Sequence, residues 1–139
     1  MCTVNSNIKG LRKMRAQGHV LIRGYKYVTK TGKPAMMSCF PALVKGWNRA
    51  RVGIDKRVAP MRTKPYSKGH WAGPGCFHVC TEKDNWYIKQ SNERQQAVWF
   101  YADEILAMSD TPVPTIAVRR VFIKRLAYDP DRYWLGKAC

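Results

Sequence analysis

Residues 97–101 (AVWFY) are apolar at every position. A strand with one wet face alternates apolar and polar residues, so an unbroken apolar run of this length predicts a strand inside a sheet. Residues 19–40 predict a β-hairpin. Val20, Ile22, Tyr25 and Tyr27 supply strand formers, and Gly24 interrupts their alternation and predicts a bulge. In the turn TKTGK, Gly32 supplies the positive φ that a short connection needs, and Pro41 ends the returning arm at 35–40. Residues 103–108 predict a short strand or turn, broken by TPVP at 111–114. Residues 115–128 predict the last long strand, carried by Ile116, Val118, Val121 and Ile123. The Arg119-Arg120 pair shifts its alternation by one and marks a second bulge.

The stretch at 71–86 (WAGPGCFHVCTEKDNW) joins these halves. Gly73-Pro74-Gly75 turns the chain, residues 76–80 read as a short strand, and Thr81 with Asp84 three residues on is a capping pattern. A helix therefore starts at Glu82, with Trp86 and Ile88 on its apolar side. Residues 1–18 form a basic N-terminal arm or a short helix. Ile8, Leu11 and Met14 have weak helical spacing, Lys9, Arg12, Lys13 and Arg15 lie between them, and Gly18 ends the segment. Residues 42–53 hold a short turn of helix or an edge strand. A Pro- and Lys-containing loop over 57–70 follows, long enough to be functional or mobile. After 128 the chain packs Tyr133 and Trp134 against the body. The sum is a single α+β domain over 19–139: a mostly antiparallel twisted sheet with one main helix after Thr81.

Composition narrows the class. With 139 residues, 45% hydrophobic and 12% aromatic, the chain can bury a core and is not of the disordered type. No apolar run approaches the roughly 20 residues of a membrane span. The first ten residues lack the apolar centre of a secretory signal, so a cytoplasmic setting is expected. The five cysteines are then reduced thiols rather than a disulfide framework. The formal charge is +16 and it is unevenly spread. Residues 1–75 carry 16 basic side chains against one acidic, Asp55, whereas residues 76–139 carry 9 against 8. Such excess points to a polyanionic partner, nucleic acid or nucleotide, with an acidic host protein or nucleoprotein as the other candidate and no membrane.

Aromatic residues interleave with the basic ones. Arg23, Tyr25, Lys26 and Tyr27 lie on the first strand, Trp47, Arg49 and Arg51 follow, and Arg62, Lys64, Lys68, His70 and Trp71 line the loop. Arg12, Lys13 and Arg15 precede them. Ring faces stack on bases while Lys and Arg neutralise phosphates, which suits single strands or nucleotides. On the strand, Arg23, Tyr25 and Tyr27 share one face and Lys26 points to the other. His78, between a glycine turn and a helix start, is a candidate anion ligand or simply an inward histidine. Cys76-x-His78-x-Cys80 invites a zinc reading, but outer Cα atoms of an extended pentapeptide lie roughly 13 Å apart, too far for two thiolates on one ion. No metal and no cofactor is expected. Phosphate-loop, dinucleotide-fingerprint, zinc-protease and serine-hydrolase motifs are absent from the sequence, and Asp103-Glu104 is the one acidic pair at a strand end.

Three segments carry a resemblance: GYKYV at 24–28, GCFHVCT at 75–81 and VWFYADEILA at 98–107. This layout resembles small bacteriophage and bacterial proteins with an opening "YKxV" strand, a later "GFH" step, an apolar strand with an acidic end and a basic last strand. The resemblance implies a mobile-element setting, with proteins that act on host machinery or host defence. The middle run is also similar to ADP-ribosyltransferase folds, where a "GxGxY" strand precedes a helix; here Phe77 stands in place of that tyrosine. The leading expectation is a small basic accessory protein that binds nucleic acid or another polyanion. A stoichiometric inhibitor of a host protein and an enzyme acting on a dinucleotide through His78 and Glu104 are the alternatives.

Overall fold

The computed structural model describes residues 3, 5–29, 32–34, 42–50, 76–82, 93–110 and 114–127. These contain one α-helix, α1 (Ile8–Arg15), and seven strands. The strands are β1 (Leu21–Thr29), β2 (Gly46–Arg49), β3 (Phe77–Cys80), β4 (Glu93–Tyr101), β5 (Ala107–Ser109), β6 (Thr115–Val118) and β7 (Arg120–Ile123). All pairings are antiparallel, in the order β2-β7-β4-β1-β3-β6-β5. The layout is thus α+β and mostly antiparallel. No helix among the described residues is long and apolar enough to cross a membrane.

The last strand expected from the sequence is broken at Arg119 rather than bulged. Its first half, β6, pairs with β3 and β5, and its second half, β7, pairs with β4 and β2. β3 and β4 flank β1 on opposite sides, so the two halves lie in opposite halves of the strand order while only Arg119 separates them along the chain. β2 and β5 are the two ends of this order. Inward positions fill the core with Val28, Phe77, Val79, Val98, Phe100, Ile116, Val118, Val121 and Ile123, all 2% exposed or less. The run at 97–101 does lie inside the sheet as expected, between β7 and β1. Only Val98 and Phe100 of it are buried; Ala97, Trp99 and Tyr101 face out and stay half-exposed.

The helix expected after Thr81 lies almost wholly outside the described residues. Thr81 and Glu82 form a bend, Thr81 N–H still donates to the Pro114 carbonyl (3.3 Å), and residues 83–92 lie outside the described residues. The described helix is instead the basic N-terminal segment. The Asn7 side chain caps it by accepting from Gly10 N–H at 2.8 Å, and Arg12, Lys13 and Arg15 sit in its last turn, where cations suit the dipole. Eight residues are too few to be stable alone. Tertiary contacts hold them: Leu11 is 1% exposed, and Arg15 Nη1 donates to the Ile105 carbonyl at 2.6 Å. The residues before it are docked too. Ser6 and Asn7 N–H donate to the Met108 carbonyl (3.1 and 3.0 Å), and Met108 N–H donates back to Asn5 Oδ1 (3.2 Å). This segment covers the outer edge of β5.

Of the hairpin expected at 19–40, the first arm and the turn are present. Thr29 N–H donates to the Lys33 carbonyl at 2.9 Å, Gly32 adopts φ 77°, and residues 35–40 lie outside the described residues. The long partner of β1 is β4, in unbroken register from Leu21↔Tyr101 to Thr29↔Glu93. Gly24 therefore marks no bulge. It permits close approach: a Cβ there would lie 2.5 Å from Val79 Cγ1 and 2.9 Å from Phe100 Cε1. Gly24→Ala overpacks this region and is expected to lower stability by about 1–3 kcal/mol. Urea unfolding checks it, and adding Val79→Ala should couple with the change and recover part of that stability.

Candidate functional site

Side chains on the outward side of β1, β4, β7 and β2 meet through the register. Arg23 lies opposite Trp99, Trp99 opposite Phe122, Phe122 opposite Trp47, and Leu21 opposite Tyr101. The rings contact one another. His19 stacks on Tyr101 at 3.6 Å between centroids, Tyr101 on Trp47 at 5.5 Å, and Trp47 meets Phe122 edge-on at 5.3 Å. Cations lie over the rings. Lys124 Nζ is 3.8 Å from the centroid of Trp99, the Arg120 guanidinium 4.3 Å from Trp47 and 5.4 Å from Tyr101, and that of Arg23 5.4 Å from Tyr25 and 5.9 Å from Trp99. Such contacts place positive charge without leaving rings or cations to solvent alone.

One corner is acidic. Arg120 clamps Glu104 through two parallel bonds, Nε–Oε1 2.7 Å and Nη2–Oε2 2.6 Å. These bonds hold the Glu104 carboxyl below its ordinary range and raise the guanidinium, which stays charged throughout. His19 Nδ1 lies 3.1 Å from each Asp103 oxygen. His19, Asp103 and Glu104 offer ligand atoms within 4.8 Å of one another. Each of them already has a protein partner there, so the group is internally satisfied.

Of the residues singled out from the sequence, Arg23, Tyr25, Tyr27, Trp47 and Arg49 lie on this outward side, with Trp47 40% exposed. Arg12 and Lys13 are exposed on α1, which packs by Ile105 and β5, at the far end of the strand order from β2, and Arg15 is tied to Ile105. His78 is half-buried. Its Nδ1 accepts from Thr3 N–H at 3.0 Å and lies 3.0 Å from Thr3 Oγ1, so the docked N-terminal segment engages this nitrogen as an acceptor. Arg51, Arg62, Lys64, Lys68, His70 and Trp71 lie outside the described residues.

Lys26 does not belong to the face. It is 6% exposed inside the sheet, where Nζ donates to the His78 carbonyl at 2.9 Å and lies 5.9 Å from the Phe77 ring. Strand alternation puts it there: its neighbours Arg23, Tyr25 and Tyr27 have the opposite parity. Sequence reasoning passed over His19, Trp99, Tyr101, Arg120, Phe122 and Lys124. The available signal was that Trp99 and Tyr101 alternate with Val98 and Phe100, aromatic outward and compact apolar inward. No protein-family model matches the chain, and no curated protein or solved structure is similar to it.

Burial pushes the Lys26 ammonium down to about 8 from 10.5, with the nearby Cys80 opposing the shift. The unfolded chain keeps the lysine proton up to its ordinary value, so between about 8 and 10.5 it binds more protons than the folded protein. The Lys26 contribution to stability thus rises with pH across that window and is unfavourable below it. Lys26→Met should stabilise the protein near neutrality by about 1–3 kcal/mol, and the gain should shrink towards the upper end of the window. Urea midpoints of both proteins across neutral to alkaline pH measure it; a constant difference would refute the assignment.

Proposed function

We propose that this protein is a small basic accessory protein, a single domain acting in the cytoplasm, that binds nucleic acid through the outward side of β1, β4, β7 and β2. The observation that carries this reading is the contact of cations and rings on one face: Arg23, Arg120 and Lys124 on Tyr25, Trp47, Trp99 and Tyr101, in a chain of net charge +16. Phosphates supply the counter-charge such a surface lacks, and the rings supply contact that needs no defined base sequence. The phage-type setting follows from the "YKxV … GFH" layout and goes with a role on host or phage nucleic acid.

A protein partner is the second reading. Val20 and Leu21 are 44% and 42% exposed beside the ring cluster, and apolar area of this kind also suits a host protein with an acidic surface. A complex from host lysate that survives nuclease would favour it. For a dinucleotide enzyme, His78 and Glu104 offer little support, since Thr3 engages one and Arg120 the other.

Binding to a labelled oligonucleotide, followed by fluorescence anisotropy, tests the first reading. The logarithm of the affinity should fall linearly with that of salt. Combined Arg23→Ala, Arg49→Ala and Lys124→Ala substitutions should flatten the slope by about 0.7–0.9 for each phosphate that is no longer neutralised. A flat salt response, or no binding at low salt, removes the proposal.

A further inference from the structure

We infer that the nucleic acid taken by this face is single-stranded, with an unpaired base stacked on Trp99. The inference rests on the nucleic-acid reading above and narrows it.

Trp99 sits in register between Arg23 and Phe122, near the middle of the outward side, and Trp47 stands on the edge strand at 40% exposure. A basic surface without rings would satisfy a duplex, whose bases have both faces covered by their neighbours. Indole rings set among basic side chains offer something a duplex cannot use: a flat apolar face to stack on. The cations now occupy the positions a base would take. Lys124 Nζ lies 3.8 Å from the Trp99 centroid, and the Arg120 guanidinium 4.3 Å from that of Trp47.

The two cations differ in how readily they can leave. Arg120 is fixed by its paired bonds to Glu104 (2.7 and 2.6 Å) and stays with its ring. Lys124 is exposed, and its lysine stem carries a compact charge on four flexible carbons. When a base arrives, the Lys124 ammonium swings from the Trp99 face onto the adjoining phosphate, and the ring takes the base. A base–indole stack is stronger than an exposed cation–ring contact, so the exchange favours the bound state. At the corner where His19 caps the ring stack, Arg120 is already taken by Glu104 and offers phosphates no free cation. The sugar–phosphate backbone is thereby directed along the Arg23–Lys124 side.

The test uses the full chain and fluorescein-labelled oligomers of about 12 nucleotides, as single strands in deoxy and ribo form and as the corresponding duplex. Anisotropy at low salt should show the single strand bound about tenfold or more tighter than the duplex, with tryptophan emission quenched at saturation. Trp99→Leu should weaken single-strand binding about tenfold and leave duplex binding unchanged, whereas Trp99→Phe should keep most of the affinity. If circular dichroism shows Trp99→Leu unfolded, Trp99→Met carries the same expectation. A ribo over deoxy preference identifies the sugar and supports the inference equally. Duplex binding as tight as single-strand binding, with Trp99→Leu or Trp99→Met without selective effect, overturns the inference; a steep salt dependence would then still uphold the nucleic-acid reading. Absence of binding to any oligomer removes both.

Discussion

Everything described here depends on the change of partners at Arg119. Residues 115–123 form almost one strand, yet the half before Arg119 pairs with β3 and the half after it with β4. A straight strand cannot serve two strands that lie on opposite sides of β1. The single residue between the two ladders lets the chain change partners. Arg119 is exposed at this break, and its carbonyl accepts from Ala50 N–H at 2.8 Å, which ties the start of the segment after β2 to the same point.

The two sides of the sheet differ in which side chains they hold. The inward side has room for one layer, so it takes Val, Ile and Phe, with Gly24 where two strands come too close for a Cβ. Among the described residues, the polar side chains of Gln96 and Lys26 are buried on the strands β4 and β1. Gln96 is satisfied on both ends, donating to the Ala97 and Arg125 carbonyls and accepting from Ala127 N–H. Lys26 has the His78 carbonyl and the Phe77 ring, and its displaced titration is the sign of that confinement. The outward side has no such limit and carries the bulkiest rings of the sheet.

Local features of this arrangement were legible in the sequence, and pairings were not. The turn at Gly32, the end at Gly18, the interior position of β4 and the opposite parities of Lys26 and Tyr25 follow from residue chemistry and period-two alternation. The misreadings share one cause. Gly24 looked like a bulge because its crowding partners, Val79 and Phe100, are distant in sequence. Arg119-Arg120 looked like one bulged strand because nothing local reveals that each half has a different neighbour. Half of the ring cluster went unnoticed because Trp99 and Tyr101, in an apolar run, look like core until the other strands define which side is inside.

The distribution of charge illustrates the same point and changes what it means. Along the sequence nearly all of the excess lies before residue 76, which directs attention to the N-terminal half. In the fold, the face is built from both halves: Arg23, Trp47 and Arg49 come from the basic half, Trp99, Arg120, Phe122 and Lys124 from the nearly neutral one. The antiparallel register, not the net charge of a segment, decides where cations meet rings. Arg120 shows how local this is: it comes from the balanced half, is half-neutralised by Glu104, and still lies closest to Trp47. A cation held by a carboxylate orients a ring. A cation held by a ring, as Lys124 is on Trp99 among the described residues, can be given to a phosphate. The face therefore combines a rigid part and an exchangeable part, and the exchangeable part is the one a ligand would engage first.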